Sequence, residues 1–192
     1  MPNNNYLSVY AKSFNWAGFF LPKEIYLKCS VLYDFCRTVD DIADKNSDLD
    51  IKKIRFLEFK SNFNNKNFNI PIIKEMWALI DYFNISTKII NDLFDGIESD
   101  LKEKVQITSK KDLLIYSYRV AGTVGLMMAK ILRVNSERGL NSAIDLGIAM
   151  QLTNIARDVI EDKKRNREYI DHDIITIKET LKLADLFYNS SF

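Results

Sequence analysis

The chain has little that punctuates a polypeptide. Six glycines and three prolines are spread over 192 residues. No segment alternates polar and apolar residues with period two, so strands are not expected, and the apolar period is helical throughout. Cysteine is nearly absent. Cys29 and Cys36 stand seven apart, which puts them on one helix face as small core residues. They form no zinc spacing, and His172 is the only histidine, which fits a reducing compartment. Charge of one sign is also missing. The 27 basic and 26 acidic residues leave a net +1, so bulk electrostatics gives no reason to expect a nucleic-acid partner. No apolar run reaches the roughly 18–20 residues of a membrane span, the longest being Val120 to Ala129. The opening MPNNNYLSVYAKS lacks the apolar stretch of a signal peptide. A cytoplasmic location is expected, with peripheral membrane contact left open.

What is present is a helical chain with no repeat and no dividing linker, read as a single all-α domain over residues 1–192. A long helix is predicted from Lys23 to Asp44, with Pro22 near its first turn. Ser61 to Asn69 reads as a surface loop, and shorter helices follow at Pro71–Phe83 and Ser86–Leu101. Ser109 and Asp112 resemble a capping box that opens a helix to about Arg133. Another long helix is predicted over Glu137 to Asp162. Thr176 and Glu179 resemble a second capping box, opening a last helix.

Acidic residues at helical spacing carry the chemical signal. Asp40 and Asp44 lie four apart in DDIAD, and Asn154, Asp158 and Asp162 form Asn-x3-Asp-x3-Asp. Residues four apart sit about 40° apart around a helix, so each set faces one way. Like charges so placed cost a helix a few tenths of a kcal/mol. A hard divalent cation such as Mg²⁺, held by a few carboxylates and substrate phosphates, would offset that cost. Arg37, three before Asp40, is placed to grip a phosphate, and it fits an exposed Arg–Asp pair equally well. Gly122 and Gly125 lie three apart inside a helix, at about 1 kcal/mol each relative to Ala. They fit close helix packing, or a helix bent to admit a long apolar ligand past Val120 and Val124.

Several strings together resemble the squalene/phytoene synthase family: Lys12-Ser13-Phe14, Leu21-Pro22, YDFCRTVDDIAD, VAGTVGLM, QLTNIARDVIED and Asn166-Arg167-Glu168-Tyr169, in family order. The bacterial phytoene synthases are the nearer likeness. The resemblance implies an all-α isoprenoid synthase bundle around a central cavity. It implies a prenyltransferase that condenses two prenyl diphosphates head to head, two geranylgeranyl diphosphates giving phytoene through a cyclopropyl diphosphate. By position, Asp40, Asp44, Asn154, Asp158 and Asp162 would hold Mg²⁺, with Mn²⁺ as the alternative ion. Asp40, Asp44, Asp158, Asp162 and Tyr116 would be catalytic. Ser13, Arg37, Arg157 and Arg167 would bind diphosphate, and Tyr33, Val120, Val124 and Gln151 would line the chamber.

The likeness has departures. Family members continue with further helices after TLKLADLFYNSSF, so the bundle is expected to lack its last helices. Marginal stability, or self-association through the faces so left, is then expected. Asn166 stands where the family commonly has Gly. A squalene or dehydrosqualene product, and a non-catalytic binding or assembly role, remain as alternatives.

Overall fold

The computed structural model describes residues 20–44 and 48–192, the Asp44 side chain excepted. Helix α1 (Lys23–Asp44) forms as its periodicity predicts, with Leu32, Phe35, Val39 and Ala43 buried along one stripe. Helix α2 (Leu49–Asn64) corrects the expected surface loop at Ser61–Asn69. Asp48 caps it by accepting the Asp50 amide, and Phe56, Phe59 and Phe63 are buried at helical spacing. The polar Asn and Lys residues occupy its outer face, and only Asn65 onward turns. Helix α3 (Pro71–Phe83) takes proline in its first turn and ends at Asn84 in the left-handed region. Helix α4 (Thr87–Ser99) is capped by Ser86.

These four helices share one aromatic core. Phe63 lies 5.5 Å from Phe35, 5.3 Å from Phe94 and 5.2 Å from Trp77, ring centre to ring centre. The Trp77 indole N–H donates to the Phe63 carbonyl at 3.0 Å, so its one polar atom is satisfied. Cys29 and Cys36 pack here as expected. Burial raises both thiols, Cys29 to about 11.

The second half begins with a two-residue strand, β1 (Val105–Gln106), paired in parallel with β2 (Arg167–Glu168). Period-two patterning cannot reveal so short a pair. Helix α5 (Lys110–Ser117) starts where Ser109 accepts the Asp112 amide. The single helix expected to Arg133 is interrupted, because Tyr118–Gly122 forms a π turn before α6 (Thr123–Ile131). Helix α7 (Glu137–Lys164) is the longest, capped by Ser136. Helix α8 (Ile174–Ser190) begins earlier than the Thr176 box implied. Asp173 is the cap, accepting the Ile175 and Thr176 amides, and Thr176 sits inside the first turn.

Two glycines let α6 reach α7. A Cβ on Gly125 would lie 2.2 Å from the Ala143 carbonyl oxygen, and one on Gly122 would press on Tyr118, Ile144 and Ile148. Close packing is therefore what this pair provides. Among the described residues, no helix is long and apolar enough to cross a membrane.

Candidate active site

The cavity that matters lies between α1 and α7. Its volume is about 240 Å³, and its wall includes Asp40, Tyr116, Val120, Gln151, Asn154, Asp158, Asp162 and Arg167. All eight were singled out in the sequence. Helical spacing delivers them: Gln151, Asn154, Asp158 and Asp162 descend one face of α7, and Asp40 and Ala43 face them from α1. Ile97, Val120, Ile155 and Ala43 supply the apolar wall.

The cavity also contains Asp100, which had no sequence signal, and Tyr169 from the Asn166-Arg167-Glu168-Tyr169 string. Asp100 lies just beyond α4 and accepts two phenol hydroxyls, Tyr116 at 2.8 Å and Tyr169 at 2.7 Å. The two hydroxyls are 3.0 Å apart, and the rings stack with centres 4.7 Å apart. Burial, and then the Asp100 charge, push both phenols well above their ordinary range, so both rings stay neutral. Arg165 joins Arg167 in the wall.

A left-handed Asn166, φ 59°, makes this corner. Asparagine tolerates that region better than most residues. The turn swings the chain from α7 into β2, where the Val105 amide donates to Asn166 and the Ile107 amide to Glu168. Arg167 and Tyr169 are thereby brought to the cavity.

Charge is unevenly distributed around the site. Arg157 donates to both Asp158 oxygens, at 2.7 and 2.6 Å, and holds that carboxyl below its usual value. Asp162 goes the other way. Partial burial is the main cause, Asp158 and Asp100 add to it, and the carboxyl is pushed up to about 6 despite Arg167 and Arg165. A cation would relieve that repulsion. Among the described residues, no three acidic or thiol side chains gather tightly enough to enclose an ion by themselves. Asp40, Asn154, Asp158 and Asp162 offer hard oxygen donors to the cavity.

Four expected positions lie away from this wall. Arg37 pairs with Asp41 at 2.9 Å, one turn along α1. Arg157 is mostly exposed and spends its guanidinium on Asp158. Tyr33 is half-buried on α1 outside the cavity lining, its hydroxyl raised chiefly by burial. Val124 packs against the first core instead. Ser13 and the Asp44 side chain lie outside the described residues; the Asp44 backbone closes α1.

The profile described as squalene/phytoene synthase matches residues 7–191. A phytoene synthase of Cereibacter sphaeroides is 33% identical over 172 residues, covering 84% of this chain and 48% of that protein. A presqualene diphosphate synthase of Sinorhizobium fredii is 31% identical over 159 residues, covering 79% of this chain and 57% of that one. The chain thus spans about half the length of the curated relatives it matches. Among solved structures, a dehydrosqualene synthase superposes with TM-score 0.73 at 28% identity, covering 97% of this chain and 73% of that one. A squalene synthase from Alicyclobacillus acidocaldarius superposes with TM-score 0.77 at 17% identity, covering 96% and 78% of the two chains, a likeness of fold.

Proposed function

This chain belongs to the squalene/phytoene synthase family, and from that premise we propose that it is a prenyltransferase joining two prenyl diphosphates head to head. The substrate is geranylgeranyl diphosphate and the product phytoene, a reading supported by the phytoene synthases among its relatives. One observation carries it. Asp40 from α1 and Asn154, Asp158 and Asp162 from α7 line the same cavity as an apolar wall, so one space offers both a charged and a greasy end.

Asp40, Asp44, Asn154, Asp158 and Asp162 are the residues that would hold Mg²⁺. When bound, it supplies positive charge against the departing diphosphate. The chain does the rest. Arg165 and Arg167 draw diphosphate oxygens to the charged end. The allylic C1–O bond of one substrate breaks, and diphosphate leaves with the electron pair. The C2=C3 double bond of the second substrate attacks that C1. Loss of a proton closes the cyclopropane. A second ionisation releases the other diphosphate, and rearrangement with loss of a second proton gives the C1–C1′ bond.

Water in the cavity would capture the cation. Ile97, Val120 and Ile155 exclude it there. Tyr116 and Tyr169, held neutral by burial and by Asp100, present ring faces without offering a phenolate nucleophile.

The test is thermal unfolding with inorganic diphosphate, with and without Mg²⁺. A ligand at 100 times its Kd stabilises by about 2.7 kcal/mol, or about 5–10 °C for a domain of this size. The shift should require both components and vanish in Asp158→Ala. Incubation with labelled geranylgeranyl diphosphate should then yield phytoene or the cyclopropyl diphosphate. Absence of both would refute the reaction.

A further inference from the structure

Three helix ends meet around Tyr82, in the last turn of α3. Lys28 from α1 sets its ammonium 4.0 Å from the centre of the Tyr82 ring. Arg133, just past α6, donates to the Tyr82 hydroxyl at 3.3 Å. Phe83 meets the ring edge-on, with centres 4.8 Å apart. Arg133 makes its contact from left-handed backbone, φ 62°. The position that closes a helix in this way is usually filled by glycine or asparagine, and α3 follows that habit with Asn84, φ 49°. Arginine bears a conformational cost there, and the turn delivers its guanidinium to Tyr82.

Although held by two cations, Tyr82 is 60% exposed. Leu27, the residue before Lys28, is 52% exposed, and Leu132, the residue before Arg133, is 43% exposed. Large apolar groups therefore face outward beside these contacts. The turns that carry them hold Lys23, Lys28, Lys130 and Arg133 against Glu24 and Asp81, a surplus of two positive charges. Glu24 is itself engaged by Lys28. Lys23 and Arg133 are exposed. Lys28 precedes Asp40 by twelve residues, about 18 Å of helix, so this surface stands clear of the cavity.

We propose that this end of the molecule docks on an anionic lipid bilayer, with Tyr82 at the headgroup level, Leu27 and Leu132 in the acyl boundary, and Lys23 and Arg133 against lipid phosphates. Tyrosine suits that depth because its ring is apolar and its hydroxyl polar. Each cation near an anionic bilayer contributes about fivefold in partitioning. The proposal does not depend on the reaction the cavity performs. Helix α2 offers a rival surface, since Ile51, Ile54 and Leu57 are exposed at helical spacing. There Lys52, Lys53 and Arg55 are balanced by Asp48, Asp50 and Glu58, and Lys60 turns to Asp95 and Glu98 at 3.5 and 2.7 Å. A balanced surface gains little from anionic lipid. A second copy of the chain is disfavoured at Tyr82, because a two-fold contact sets the same positive surplus against itself.

The experiment is flotation of the full 192-residue chain with vesicles, without substrate or metal. One set is phosphatidylcholine alone, and the other is equal parts phosphatidylcholine and phosphatidylglycerol. Partitioning onto the mixed vesicles should exceed that onto phosphatidylcholine about tenfold or more and should fall as salt rises. Lys23→Gln and Arg133→Gln should each lower it about fivefold. Leu27→Gln and Leu132→Gln should each lower it several-fold, and Ile54→Gln should leave it unchanged. Arg133→Gly suits the left-handed backbone, so it should lower partitioning like Arg133→Gln while leaving the melting temperature no lower, which separates lost charge from misfolding. Equal partitioning onto the two vesicle types, or no flotation, overturns the proposal. So does a loss in Ile54→Gln with none in Arg133→Gly or Leu132→Gln, which assigns the contact to α2. A concentration-dependent dimer in sedimentation that Leu132→Gln abolishes, without vesicle binding, overturns it in favour of a second copy. None of these outcomes bears on the diphosphate assay, so the two readings stand or fall separately.

Discussion

Replacing Asp100 by Asn tests whether the two stacked tyrosines and the carboxylate act as one unit. Asp100 accepts two phenols on separate oxygens, at 2.8 and 2.7 Å, and both rings are buried. Hydrogen bonds to a charged group contribute about 1.5–3 kcal/mol each, against about 0.5–1.5 for neutral ones. Asn has one oxygen and no charge. One phenol can still donate to it. The other must accept from the amide and turn its proton toward its neighbour, 3.0 Å away. Two charge-assisted bonds become two neutral ones, a loss of about 2 kcal/mol.

Asp100→Ala should cost more, about 3–5 kcal/mol, because the buried hydroxyls then have only each other. Urea unfolding followed by circular dichroism measures both. The decisive comparison is a cycle with Tyr169→Phe. In the Asp100→Asn background that change should cost less than in the natural chain, with a coupling of about 0.5–3 kcal/mol. Both phenols should also ionise at lower pH once the Asp100 charge is gone, read by ultraviolet titration. An Asp100→Asn chain within about 0.5 kcal/mol of the original, or an additive cycle, would show that the three groups are not coupled.

Gly125→Ala should destabilise by about 3 kcal/mol in the same assay, because its Cβ would meet the Ala143 carbonyl oxygen at 2.2 Å and backbone cannot step aside; a loss under about 0.5 kcal/mol would mean that α6 and α7 part easily. Asp162 gives a pH effect with a definite sign. Its carboxyl titrates near 6 in the fold and near 3.8 otherwise, so the folded chain holds the extra proton between those values. The stability this group allows is fullest below pH 3.8, declines through pH 6 and is flat above. The group is about half exposed, so screening limits the loss to about 1 kcal/mol. In EDTA, Asp162→Asn should be the more stable chain at about pH 7.5 and should lack this decline, and an identical pH slope in both chains would refute the assignment.

Much of the site was legible because helices repeat. Asn154, Asp158 and Asp162 share a face by spacing alone, and α7 places them in the cavity together with Gln151. Asp40 and Ala43 follow from α1 in the same way. Asp100 was not legible, since a single acidic residue beyond a helix end carries no pattern, and its partners lie 16 and 69 residues away. Helix α2 was missed for a different reason. Its Asn and Lys residues dominate a reading by composition, while its three buried phenylalanines show only when the helix is read as one face.

Local chemistry by itself determined the helical class, most helix starts and the two acidic stripes. Those depend on period, caps and proline, which act within a few residues. Tertiary structure alone decided which stripe residues meet, and it turned Val124 away while keeping Val120. It also set Tyr169 on Tyr116 through a strand pair that joins Val105 to Arg167. The physical reason is packing. The π turn and the left-handed Asn166 are conformations a sequence permits, and contacts with α4, α7 and β1 select them.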